Sequence, residues 1–144
     1  MGQRDPHCPR TGPERGGIPT LDRAVPLIED RLLTFGLDRR CAAVRSTGLG
    51  VLELEDADVA KQAITEQARL AVEEERAEAI VLGCGGMAGL DRELSELLGV
   101  PVVEGVAAGA MLAEGLVRLG LTTSKIRTYA PPRPKSLSGW PLRP

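Results

Sequence analysis

The segment AEAIVLGCGGMAGL, residues 77–90, holds the residue types and spacing that most suggest chemistry. A β-branched apolar run ends at Leu82, and Cys84 follows between Gly83 and the pair Gly85–Gly86. A thiol in such a place can be reactive. In an open parallel sheet, ligands bind beyond the carboxyl ends of the strands, where this cysteine is expected to stand. The amides of Gly85, Gly86 and Met87 would open the next helix and point at whatever Cys84 touches. A helix start also favours the thiolate, and flanking glycines let a ligand approach the backbone. The competing reading is a small buried hydrophobe at a strand end. The segment is not a phosphate loop, since no GK[ST] follows and the GxGxxG spacing is missing.

Other candidates carry less. Cys41 lies inside an apolar run and reads as a core cysteine. Cys8 and His7 sit in a stretch with no supporting shell and read as incidental. Three cysteines without CxxC spacing and a single histidine fit neither a disulfide framework nor a zinc site, so no metal is expected. Glu73, Glu74 and Glu75 read as the solvated end of a helix. Arg127, Arg133 and Lys135 read as solubilising charge, with contact to an anion as the alternative.

The elements that must position Cys84 follow from periodicity. Residues 1–19, dense in Gly, Pro and Arg, cannot bury enough surface to offset ordering and read as a disordered head. From Thr20 the pattern alternates. Leu21 to Leu33 carries a helical stripe at Val25, Ile28, Leu32 and Leu33, with Pro26 in the first turn if Asp22 caps it. Arg40 to Arg45 suits a strand. Residues 57–75 form the strongest helix, with Val59, Ala63, Ile64, Ala68, Ala71 and Val72 along one face. Glu78 to Leu82 reads as a strand, Leu90 to Leu98 as a helix ended by Gly99, Pro101 to Val103 as a strand and Val106 to Leu119 as a helix. Three strands separated by helices imply crossovers and a parallel sheet. The expected fold is therefore α/β, a small three-layer domain with a mainly parallel sheet over residues 20–120. Residues 121–144 are expected to run as an extended tail.

Composition narrows the function classes. Eighteen basic residues against 20 acidic ones give a net charge of −2, which argues against a polyanion-binding surface spread over the whole molecule, though not against a local basic patch. With one Phe, one Tyr and one Trp, a base-stacking reader of nucleic acid is not expected. No apolar run approaches the roughly 18–20 residues that a membrane span needs. The N-terminus lacks the apolar core of a secretory signal, so the expected location is the cytoplasm.

The stretch AEAIVLGCGGMAGLDRELSELLGVPVVEGVAAGAMLAEGLVRLGLTTSK resembles the C-terminal half of hydantoin racemases, including allantoin racemases, of the aspartate/glutamate racemase superfamily. LGCGGM is similar to the family's second cysteine motif, PVVEGVAAG to the strand and helix entry after it, and LGLTTSK followed by YAPP to its C-terminal signature. The segment TLDRAVPLIEDRLLTFGLDRRCAAVRSTGLGVLELE resembles the start of the family's second domain. The resemblance covers about residues 20–135.

It implies two α/β domains related by a pseudo-two-fold axis, with a cysteine from each facing one cleft. The implied reaction is cofactor-independent racemisation at C5 of 5-substituted hydantoins or allantoin. One thiolate removes the hydrogen α to a carbonyl, and a thiol on the other face returns one. By this resemblance Cys84 is the second-domain acid/base and Gly85 and Gly86 the amide-bearing loop. Thr20, Glu104 and Gly105 line the substrate site. The family's usual threonine before Thr20 is Pro19 here. The family's first domain, with its cysteine, has no counterpart, and the Gly/Pro/Arg-rich head stands where the second domain's first strand is expected. The expectation is a foreign head joined to a genuine second half, impaired as a racemase. The helix from Val106 is then expected to expose an apolar face open to self-association. A single-cysteine decarboxylase or isomerase of the same superfamily, and a non-catalytic ligand-binding remnant, are the alternatives.

Overall fold

The computed structural model describes residues 14–135. The chain forms two compact units that divide within its last helix, after Met111. The first unit holds a four-stranded, wholly parallel sheet. Its strands are β1 (Arg15–Ile18), β2 (Cys41–Val44), β3 (Ala79–Leu82) and β4 (Val102–Glu104), in the order β2-β1-β3-β4. The helices are α1 (Val25–Thr34), α2 (Ala57–Glu73), α3 (Asp91–Leu98) and α4 (Gly105–Arg118). This is the expected α/β class, with one strand more than the periodicity indicates.

That extra strand corrects the reading of residues 1–19. Residues 15–18 are not disordered; they form β1, an inner strand paired on both sides. Arg15-Gly16-Gly17-Ile18 has little strand propensity, and what holds it is packing from its neighbours. Ile18 is fully buried with Ile80 and Leu82. Gly16 is required by closeness: an added Cβ would stand 2.9 Å from Ile80 Cδ1 and 3.1 Å from Ala71 Cβ on α2. Cys8 and His7 lie outside the described residues.

One face of the sheet carries the well-packed core. Register aligns Gly16 with Ile80 and Ile18 with Leu82, then Ile80 with Val102 and Leu82 with Glu104. Against this layer α2 buries Ala60, Ile64, Ala68 and Ala71, and α3 buries Leu94. The stripe is narrower than the sequence suggests, because Val59 is exposed. Asp56 caps α2 by accepting from the Val59 amide at 3.2 Å, and Gly99 closes α3 in the left-handed conformation at φ +68°. The other face, with Gly17, Val44 and Val81, meets Ile28 and Leu32 of α1 across a cavity of about 390 Å³. No residue of α1 is buried.

Two local expectations change. Asp22 does not cap α1; it opens a 3-10 turn (Asp22–Ala24), and its carboxylate accepts from the Ser46 hydroxyl. Glu75 is not a freely solvated helix end. It pairs with the half-buried Arg45 at 2.5 Å, and Arg45 Nε also donates to Gln67 Oε1 at 3.1 Å. Val106 and Met111 of α4 are exposed, 59% and 66%.

The second unit completes α4, closes it at Gly120 with φ +69°, and adds one 3-10 turn, Arg127–Tyr129. Arg118 pairs with Glu114 one helical turn back, at 2.6 Å. Arg127, Arg133 and Lys135 are exposed. Among the described residues no helix is long and apolar enough to cross a membrane.

Candidate active site

Strand register places the site before any side chain is considered. Ile18 pairs with Leu82 and Leu82 with Glu104. Two residues past those partners, Thr20 and Cys84 stand level on neighbouring strand ends, with Val106 beside them. Gly17 pairs with Val44, so Thr47 reaches the same level beyond β2. The carboxyl rim of the sheet therefore gathers Thr20, Thr47, Cys84, Gly85, Glu104 and Gly105. This is the edge at which open parallel sheets take their ligands.

Cys84 is a free, half-buried thiol in extended backbone (φ −139°, ψ 138°), the residue before a single 3-10 turn, Gly85–Met87. Gly83 sets the approach of this loop to β1. Its amide donates to the Ile18 carbonyl at 2.9 Å, and a Cβ there would stand 3.1 Å from that same oxygen. Leu54, from the 3-10 turn Val51–Glu55, closes over the loop: a Cβ on Gly86 would meet Leu54 Cδ1 at 2.9 Å and Cys84 Sγ at 3.7 Å.

The amides differ from the sequence expectation. Met87 is fully buried and its N–H donates to the Cys84 carbonyl at 3.0 Å, so it is not offered to a ligand. Gly85 and Gly86 are exposed, and their N–H groups donate to no protein acceptor among the described residues. Nor does Cys84 stand at the start of a long helix, because α3 begins only at Asp91. Two glycine amides beside a thiol are what this loop presents.

Glu104 is 6% exposed, and both carboxylate oxygens are engaged. Oε1 accepts from the Val106 amide at 2.5 Å and Oε2 from the Ala107 amide at 2.7 Å, closing the first turn of α4. It is thus a helix cap on the rim rather than a free hand for a ligand. Gly105 stays bare, its Cβ position 3.8 Å from the Leu82 carbonyl. The Val106 methyl lies 3.6 Å from the Cβ position of Gly85, so the α4 entry lies beside the thiol loop. Thr20 is half-buried, and its carbonyl accepts from the Thr47 hydroxyl at 3.1 Å.

Thr47 escaped the sequence reading, although a polar turn after a strand end signals a rim position in a parallel sheet. Cys41 is the expected core residue, buried with Sγ near the Ala43 carbonyl at 3.4 Å. Register pairs it with Arg15 and so with Ala79, five residues before Cys84. The two thiols therefore lie at opposite ends of the sheet, roughly 16 Å apart along the strands. Among the described residues no group of three His, Cys, Asp or Glu could hold a metal ion.

The family model described as Asp/Glu/Hydantoin racemase matches residues 16–113, from within β1 into α4. The chain belongs to this family. Racemase relatives agree along most of its length. It is 46% identical over 123 residues to a hydantoin racemase of Rhizobium meliloti, covering 85% of this chain and 51% of that one. A hydantoin racemase of Paenarthrobacter aurescens is 45% identical over 119 residues, 82% of this chain and 50% of its own. Among solved structures, allantoin racemase from Pseudomonas fluorescens superposes with a TM-score of 0.74 at 60% identity, covering 89% of this chain and 55% of that one. Allantoin racemase from Klebsiella pneumoniae gives 0.77 at 41% identity, with 88% and 52% covered. The racemase-family chain described here spans about half the length of the relatives it matches.

Proposed function

We propose that Cys84 is the thiol acid/base of a cofactor-independent racemase acting on 5-substituted hydantoins or allantoin. The observation that carries this reading is a free, half-buried thiol on the carboxyl rim of the sheet, next to two glycine amides with no protein acceptor among the described residues. Membership of the racemase family supports a small-molecule substrate. A reducing cytoplasm would keep such a thiol free.

In the proposed step the Cys84 thiolate takes the proton from C5, and the C5–H electron pair passes into the adjoining carbonyl. The Gly85 and Gly86 amides stabilise the enolate oxygen, as donors aimed at developing charge do. Inversion then needs a proton delivered from the opposite face of the planar intermediate. Cys41 cannot deliver it from the far end of the sheet. Among the described residues Cys84 is the one thiol on this rim, and it serves one face of that intermediate.

The test is to incubate each enantiomer of a 5-substituted hydantoin in D₂O, following C5–H loss by NMR beside optical rotation. C5–H exchange and loss of rotation, both abolished in Cys84→Ala, are expected. Loss of rotation that persists in Cys84→Ala overturns the assignment. A single rim thiol also suits a second reading, a one-cysteine decarboxylase, and release of CO₂ from a malonate-type acid would decide for it.

A further inference from the structure

We infer that Glu104 sets the charge of the ligand, selecting a ring amide without negative charge over a carboxylate; this rests on the hydantoin reading. The N-terminus of α4 opens onto the same rim as Cys84, with the Val106 methyl 3.6 Å from where a Cβ on Gly85 would stand. Left uncapped, the first amides of a helix favour an anion. Here the chain's own carboxylate already occupies the Val106 and Ala107 amides, one oxygen each. Among the described residues no Lys or Arg pairs with Glu104, so amide dipoles alone hold its charge. At 6% exposure solvent screens it poorly. A second anion on this rim meets a like charge and finds the helix amides taken. At an effective dielectric of about 20, like charges within about 12 Å of each other repel enough to weaken binding roughly tenfold or more. A neutral ring amide meets neither obstacle, and its developing enolate falls to the Gly85 and Gly86 amides.

The experiment uses one side chain in two charge states: 5-isopropylhydantoin and its ring-opened acid, N-carbamoylvaline. Each is titrated as a protectant of Cys84 against iodoacetamide, read on the Cys84 peptide by mass spectrometry. Alkylation of the buried Cys41 in the same digest reports unfolding. In the unaltered chain the hydantoin should protect at a concentration at least about tenfold lower than the acid. Glu104→Gln keeps one acceptor and removes the charge, and should narrow the gap to about threefold or less by strengthening the acid. Glu104→Asp keeps the charge and should keep the gap.

Equal protection by both probes in the unaltered chain overturns the inference without any variant. So does an unchanged gap in a folded Glu104→Gln, or a gap lost in Glu104→Asp as well. In each case the hydantoin reading stands. Failure of the hydantoin to protect Cys84 in any of these proteins overturns that reading and this inference together.

Discussion

Two adjacent glycines in β1 should respond to the same substitution in opposite directions. In Gly16→Ala the new methyl would stand 2.9 Å from Ile80 Cδ1, 3.1 Å from Ala71 Cβ and 3.4 Å from Ala77 Cβ. The isoleucine tip can swing aside, but Ala71 Cβ is fixed to the backbone of α2, so the helix must lift from the sheet. Overpacking of this kind costs about 1–3 kcal/mol. In Gly17→Ala the methyl would meet only Val44 Cγ2 at 3.9 Å and Cγ1 at 4.0 Å, which is ordinary contact. Relief of glycine's backbone entropy there contributes about 0.5–1 kcal/mol in favour of the folded state. The assay is urea unfolding. With a slope of about 2 kcal/mol/M for a chain of this size, Gly16→Ala should lower the midpoint by about 1 M at unchanged slope. Gly17→Ala should leave the midpoint in place or raise it by up to about 0.5 M. Equal stability of Gly16→Ala and the unaltered protein would refute the placement of β1 beneath α2.

Other perturbations test the rim and the surface. Gly83→Ala pushes a methyl to 3.1 Å from the Ile18 carbonyl, which cannot yield. It should destabilise by about 1–3 kcal/mol and alter the alkylation rate of Cys84 at temperatures where the protein remains folded. Arg76 follows α2 with φ +60°, where a side chain is strained; Arg76→Gly should stabilise by up to about 1 kcal/mol, measured as a rise in urea midpoint. On the surface of α2 the hydrogen bond from Arg69, with its charge, holds the Glu66 carboxyl below its usual range. The folded pKa is depressed, so this small contribution is present at neutral pH and lost as pH falls through that lowered value. Glu66→Gln should therefore lower stability slightly at pH 7 and not at pH 2, by urea titration at both.

The sequence made most of the first unit legible because its helices and flanking strands carry side chains that declare a period. Ile64, Ala68 and Ala71 mark the buried face of α2, and Gly99 marks the end of α3. β1 was hidden for a physical reason. Its glycines are small because α2 lies so close, so the strand at the heart of the sheet shows no hydrophobic pattern. The rim was half legible. Cys84 stands out between glycines, but register is what brings Thr20 and Thr47 level with it. Only coordinates reveal that the Met87 amide is spent inside the loop and that both oxygens of Glu104 are bound to α4.

The strand order also bears on how the nascent polypeptide reaches this state. Of the four strands β1 leaves the ribosome before the others, yet one of its two neighbours is β3, more than 60 residues later. At typical elongation rates that interval is roughly 3–13 s. Throughout it the glycine-rich strand has one flank open to any extended segment nearby. Parallel pairing over such a separation is slow once β3 arrives, so the yield of folded protein should depend on chaperones.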